Sequence, residues 1–440
     1  MTNAALALVS ALAFFVSGRP AHAEERPRYG GTLRVALFAD ISYLNPFRDA
    51  RPVDGSLRAL LYEGLTDVDR DFRILPHLAE SWDIGKDAKS YTFRLRKGVK
   101  FHDGADFTAA DVEWTVRHIM DPKNKAYAQA LFEAVTGLEV PDSHTIRFTL
   151  REPYAPFLTT VQIPVVPRGS VTSERASAPP GTGPFVFKEW RPNDLIRLVR
   201  NPHYWQKGIP YLDEVVMKPI LDETVRLTAL RSGDVDFSTE IPETAVEQIR
   251  TGKLTGIRYA FEEAAGSWRL RMNLRRAPWS DVRVRQAVAW ALDKEEIANA
   301  ATWGLGKAAS WRFPKGSLWY VELPERERNL PKARELLRQA GYPKGLRATL
   351  PSSISWLSTS QVVKFQLEQA GIQVDLQSME FGAYRRRVDQ RDFDLLVSGM
   401  PLRSDPHELL YQYHHSKAVD STNIPGYANP EVDQDRKSVV

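Results

Sequence analysis

The 440-residue chain contains no cysteine. That absence excludes disulfides, thiolate nucleophiles, cysteine metal sites and a lipid-modified N-terminal cysteine. Long apolar runs are missing too: the N-terminal stretch 4–16 has thirteen apolar or small residues, short of the roughly twenty that span a bilayer as a helix. Charge is nearly balanced, with 59 Lys and Arg against 55 Asp and Glu for a net +4. The basic residues are dispersed rather than massed, so there is no electrostatic footprint for nucleic acid. Also absent are HExxH, GxSxG, a P-loop and a glycine-rich dinucleotide turn after a strand, which leaves the common hydrolase and nucleotide chemistries without a motif.

Two weaker catalytic or metal signals remain. His102-Asp103 could form half of a catalytic pair, but it sits in a turn with no companion serine nearby, and a structural role is expected. His407, His414 and His415 could suggest a metal site. Adjacent histidines point to opposite faces of a strand and splay by about 100° on a helix, so a shared ion is geometrically awkward. No metal and no cofactor is expected.

The length points to two or three lobes at about 150 residues per domain. Residues 4–16, the break at Gly18 and Pro20, and Ala21-His22-Ala23 read as a secretory signal cleaved after Ala23. One departure is that no Lys or Arg precedes the apolar run. No later stretch is a membrane-span candidate, so a soluble periplasmic protein is expected. Residues 435–440, DRKSVV, read as an artefactual tail.

Local patterns are clearest in residues 79–112, AESWDIGKDAKSYTFRLRKGVKFHDGADFTAADV. Tyr91, Phe93 and Leu95 alternate with Thr92, Arg94 and Arg96, which predicts a strand with one face on a core. Lys97-Gly98 and Asp103-Gly104 predict turns. Thr108 with Asp111 three residues on predicts a helix start, its hydroxyl accepting from orphan amides. Residues 30–38, 144–150, 195–199 and 212–217 read as further strands. Helices are predicted over 281–292, with Val284, Ala287, Val288, Ala291 and Leu292 in one stripe, over 331–340 before Gly341, and over 361–370 before Gly371.

In order and spacing, residues 79–112 resemble the signature of the family 5 extracytoplasmic solute-binding proteins, the peptide/nickel-type receptors of ABC importers. GTGPFVFKEW (181–190), NPHYW (201–205), LRSGDVDF (230–237), MNLRRAPWSDVRVRQAVAWALDKEEI (272–297) and YANPEVD (427–433) are similar to later blocks of that family, in the same order. The resemblance implies an α/β, two-lobe periplasmic-binding-protein fold of class II (cluster C) type, with an extra lobe inserted in lobe I. It divides the chain into a signal peptide (1–23), lobe I (24–55 and 178–267), an extra lobe (56–177), and lobe II (268–434), with the return to lobe I missing at the truncated C-terminus. The proline- and serine-rich run 166–184 would be the linker that ends the extra lobe.

The function implied is not catalytic. It is a monomeric receptor that clasps an oligopeptide-like or other polar organic solute between two lobes and delivers it to an ABC permease at the inner membrane, with no nucleic-acid partner. A rival from another class is an extracytoplasmic hydrolase; a second keeps the fold but acts as a sensor or chaperone uncoupled from transport. Expected solute contacts are Ser42, Tyr43 and Asn45 from the loop after the first strand, and Trp268, Asn273, Met400, Arg403 and Asp405 from lobe II.

In the family's peptide-binding members, an aspartate before an acidic-proline pair captures the peptide amine. Here Asp405-Pro406 supplies the pair, but the amine-capturing position falls on Leu402 or Arg403. A buried ammonium without a counter-charge costs several kcal/mol, so a zwitterionic peptide held at that point is disfavoured. A cleft-facing Arg403 would favour a carboxylate or phosphate. Of the 11 tryptophans, Trp268, Trp303, Trp311, Trp319 and Trp356 fall at predicted lobe edges. Each alone weighs more toward core than ligand contact, and Trp82 and Trp205 read as structural.

Overall fold

The computed structural model describes residues 27–48, 52–69, 71–171, 178–260, 266–302, 304–310, 320–324, 326–401, 413–414, 416 and 423–435. The predicted signal segment, Trp303, Trp311, Trp319, Leu402, Arg403, Asp405, His407, His415 and residues 436–440 lie outside the described residues. After Tyr259 the chain parts into two compact units.

The first unit opens with β1 (Thr32–Leu37) behind Gly30 and Gly31, as the alternation predicts. Val35 and Leu37 join the unit's main core, while Ala36 packs with Ala229 and Val235 on the other face. A strand buried on both sides this way belongs at the centre of a parallel arrangement. A short hairpin, β2 (Thr66–Val68) and β3 (Ile74–Pro76), follows.

Next come β4 (Ala79–Ile84), β5 (Ser90–Leu95), β6 (Val135–Asp142) and β7 (Thr145–Leu150), an antiparallel sheet in the order β4-β5-β7-β6. The predicted period-2 face is present: Tyr91, Phe93 and Leu95 are buried on β5, Ile146, Phe148 and Leu150 on β7. Phe93, Phe148 and Phe157 form a cluster with centroids 5.0–6.4 Å apart. Burying each such ring contributes about 1.5–3 kcal/mol.

Four more strands, β8 (Phe185–Arg191), β9 (Leu195–Arg200), β10 (Glu214–Pro219) and β11 (Phe237–Ser238), complete the sheet that holds β1. Its order is β11-β1-β10-β9-β8, with β1 parallel to both neighbours and the other pairs antiparallel. One contiguous cluster of buried side chains runs under both sheets.

The helix Ala109–Met120 starts where Thr108 and Asp111 predict. The Asp111 carboxylate accepts from the Thr108 N–H at 2.9 Å, the Thr108 hydroxyl at 2.8 Å and the Arg168 N–H at 3.0 Å. The two residues form the capping box that their spacing predicts, and the threonine hydroxyl also donates to the acid. Only the Arg168 contact is tertiary, because Arg168 lies beyond any local window. At the two ends of the predicted linker, Val166 and Thr182 are fully buried.

The second unit is built on β12 (Gly266–Met272), β13 (Leu346–Ser353), β14 (Ile372–Met379) and β15 (Leu395–Pro401). β12 and β15 form an antiparallel ribbon. β13 and β14 run parallel, joined through the helix Leu357–Gln369, and parallel neighbours need such a crossover. Asp281 caps the helix Val282–Ala291 by accepting from the Arg283 N–H. Val284, Ala287, Val288 and Ala291 form its buried stripe, with Leu292 half-buried beside it. Asn329 caps Leu330–Gln339, and Gly341 and Gly371 adopt the left-handed φ expected after a helix end.

Candidate functional site

The recognisable sequence blocks of the first unit converge on two side chains. Glu63, 7 % exposed, accepts from Tyr204 Oη at 2.8 Å, Trp205 Nε1 at 2.9 Å and His77 Nε2 at 2.9 Å. Thus NPHYW is tied to a helix end about 140 residues upstream. Asp67 stands 4.0 Å from the other His77 nitrogen, and Arg96 stacks over Trp205 at 4.7 Å. Burial opposes a charged His77, but the Glu63 hydrogen bond and the charges of Glu63 and Asp67 outweigh it and raise its pKa. Burial also raises the Asp67 carboxyl, with His77 pulling the other way.

His102 is the second hub. Its Nδ1 accepts from the Gly181 N–H at 3.1 Å and its Nε2–H donates to Gly183 O at 3.1 Å, while its own N–H donates to Gly181 O at 2.8 Å. These partners define the neutral Nε2–H tautomer. Desolvation accordingly lowers the His102 pKa. Asp103 accepts from the Ala105 N–H instead of pairing with the ring. With both ring nitrogens held by backbone, the pair makes a turn and offers no base to a substrate proton. Gly181 and Gly183 press onto the end of the helix Pro52–Leu61: a Cβ at Gly181 would lie 1.9 Å from Leu61 O. Asn201 adds a further bond to Gly183 O at 2.9 Å.

The predicted solute contacts fall into separate groups. Ser42, Tyr43 and Asn45 share one loop after β1. The Ser42 N–H donates to Asp54 at 2.7 Å, Asn45 is buried and accepts from the Phe47 N–H at 2.9 Å, and Tyr43 is exposed with Arg48 5.6 Å from its ring centroid. In the second unit, Trp268 is exposed and lies across from Gly399 on β15, next to the Ser267–Met400 pair. Asn273 is placed differently from the expectation. It is 1 % exposed, its amide donates to Arg391 O and Phe393 O, and its oxygen accepts from the Arg275 N–H. Its side chain is occupied in holding the β12 end to the turn before β15.

One feature of the ribbon has no counterpart among the residues expected from sequence. Opposite Trp268, the other face of β12–β15 carries Arg269 across from Ser398 and Arg271 across from Leu396. Both guanidinium carbons lie over the Tyr413 ring, at 5.4 and 5.3 Å. The WRLRM run of 268–272 held the clue. Read at strand period, it puts both arginines on one face and the apolar residues on the other.

The profile of the bacterial extracellular solute-binding proteins, family 5 Middle, matches residues 73–421. The chain belongs to this family. Among curated relatives, the glutathione-binding protein GsiB of Pectobacterium atrosepticum is 30 % identical over 365 residues, covering 81 % of this chain and 70 % of the relative. Among solved structures, the periplasmic binding protein DppA from Helicobacter pylori, in complex with peptide STSA, aligns at TM-score 0.78 and 27 % identity over 93 % of this chain and 86 % of that one. AgaA from A. tumefaciens R10, in complex with agropinic acid, aligns at TM-score 0.77 and 29 % identity over 92 % and 84 %. The family 5 chain therefore has the two-lobe α/β periplasmic-binding-protein fold expected from its motifs.

Within the family 5 chain, the signature blocks act as cement, since Glu63 and His102 bind protein rather than face outward. No group of three or more metal-ligating side chains occurs among the described residues. Nor is any described helix long and apolar enough to cross a membrane.

Proposed function

We propose that this protein is the periplasmic receptor of an ABC importer, binding a polar organic solute in an interlobe cleft and presenting it to a permease at the inner membrane. It acts as a monomer after cleavage behind Ala23 and changes no bond in its ligand. The observation that carries the reading is family membership across residues 73–421, with fold likeness to proteins solved holding a peptide or agropinic acid. The occupied ring nitrogens of His102 support the non-catalytic part.

Hinged lobes bind by closing on a ligand, and closure selects the state a permease recognises. The loop of Ser42, Tyr43 and Asn45, and Trp268 with Met400, are the proposed contact regions, together with Arg403 and Asp405. Native mass spectrometry of the protein purified from its own periplasm tests the reading. A stoichiometric small-molecule adduct, released unchanged on denaturation, is expected; conversion of that molecule on incubation would overturn it.

A further inference from the structure

We infer that His77, Glu63 and Asp67 form a proton-operated latch, which holds the β2–β3 hairpin against the NPHYW loop while the imidazole carries both protons and frees the hairpin when it loses one. The inference concerns the first unit alone and is independent of the receptor reading.

His77 follows β3 directly, and its ring is shared between two carboxylates from different elements. Nε2 lies 2.9 Å from Glu63, just beyond the helix Pro52–Leu61, and Nδ1 lies 4.0 Å from Asp67 on β2. Arg96, just after β5, donates to the His77 carbonyl and stacks on Trp205, whose ring meets the imidazole edge-on at 5.5 Å. From the NPHYW loop, Tyr204 and Trp205 both donate to Glu63. Burial and the charge of Glu63 raise the Tyr204 phenol, which keeps it a donor. Glu63 is felt at His102 as well, but that ring is already held by backbone at both nitrogens.

Charge balance decides what one proton does here. With His77 doubly protonated, His77 and Arg96 offset Glu63 and Asp67. The neutral ring keeps its Nε2–H on Glu63, because an ionised carboxylate only accepts. Nδ1 then turns a bare lone pair toward the Asp67 carboxylate, and the cluster holds an uncompensated negative charge. It does so with little water, since the side chains of Glu63 and Asp67 are 5 % and 16 % exposed. Glu63 is fixed by its donors, so the strand carrying Asp67 yields. β2 is three residues long in a two-stranded sheet, and a lone hairpin is marginal by itself.

The shifted pKa values agree in direction with this geometry. Desolvation opposes a charged His77, but the Glu63 bond and the charges of Glu63 and Asp67 raise its pKa overall. Desolvation raises the Asp67 carboxyl too, so that acid is costly to leave ionised without the imidazolium beside it. The latch is therefore fully closed below about pH 6.5 and opens as pH rises through the folded value of His77.

Hydrogen–deuterium exchange of the full chain at pH 6 and pH 8, corrected for intrinsic exchange rates, tests the latch. Peptides covering β2, β3 and NPHYW are expected to lose protection about tenfold at pH 8, since each unit of pKa difference between closed and open forms changes the opening equilibrium tenfold. Peptides of β5 should keep theirs. His77→Gln, uncharged at both pH values, should exchange at the open level in both. Asp67→Asn, whose amide can donate to Nδ1, should stay protected in both. Wild-type protection equal at the two pH values, the same loss throughout the first unit, or opening of Asp67→Asn at pH 8 would each overturn the latch. If His77→Gln does not fold, Asp67→Asn alone decides: protection at pH 8 supports the latch and opening there refutes it.

Discussion

Two part-buried histidines in the first unit have pKa values shifted in opposite directions, and each makes a pH prediction with its own sign. His102 is held neutral, so its folded pKa lies below the ordinary value near 6.5. The stability it contributes is complete above that pH and is lost as pH falls through the folded value. Urea titrations of wild type and His102→Phe should therefore show a gap that narrows between pH 7 and pH 5. His77 has a raised pKa because of Glu63 and Asp67. Its contribution is complete below about 6.5 and fades as pH rises through the folded value, so the gap between wild type and His77→Phe should narrow from pH 6 to pH 8. Equal gaps at all pH values would mean that neither ring exchanges protons differently on folding. Glu63 itself gathers three donors. Glu63→Gln is expected to cost about 3 kcal/mol, since hydrogen bonds to a charged acceptor contribute about 1.5–3 kcal/mol each and are not additive. The midpoint of urea unfolding, at unchanged slope, measures it.

At the scale of elements, junctions matter more than the strands and helices they join. The GTGPF turn is set by the approach of Gly181 to the Leu61 carbonyl, where the added methyl of alanine would lie at 1.9 Å. Backbone there must move, carrying with it the Gly183 N–H bond to Leu61 O at 3.0 Å. Gly98 offers a control: it has φ +74° but nothing within 4 Å of an added Cβ, so alanine costs only the left-handed penalty of about 1–2 kcal/mol. Gly181→Ala should accordingly lose at least twice as much stability as Gly98→Ala in chemical denaturation. Similar losses would show that the junction tolerates a shift. The Asp111 cap makes a related point, because one carboxylate closes a helix start and also pins Arg168 from a distant segment.

For the whole molecule, the two units have separate cores, one gathered under both sheets of the first unit and the other around Trp279, Val288, Leu350 and Leu367 in the second. A solute held by both lobes, as proposed, would stabilise the folded protein by about 2.7 kcal/mol at a hundred times its Kd. It should also reduce the radius of gyration on closure. Small-angle scattering with and without a bound solute, alongside a thermal melt, checks both. A ligand that raises the melt while leaving the scattering curve unchanged would argue for binding without closure.

What the sequence determined by itself was local. Tyr91, Phe93 and Leu95 declare a half-buried strand, the stripe of Val284, Ala287, Val288 and Ala291 declares a helix, and Gly341 and Gly371 declare helix ends, because each depends on spacing within one or two turns of chain. The ordered blocks were legible in the same way and carried the family with them. Only the tertiary structure decided what those residues touch. Asn273, expected at a solute, is held by carbonyls about 120 residues away; His102 is held by a turn about 80 residues on; and Arg271 shares a face with Ser398 through strand pairing. Such partners meet because the folded backbone brings distant segments within hydrogen-bond reach, and no local periodicity encodes which segments those are.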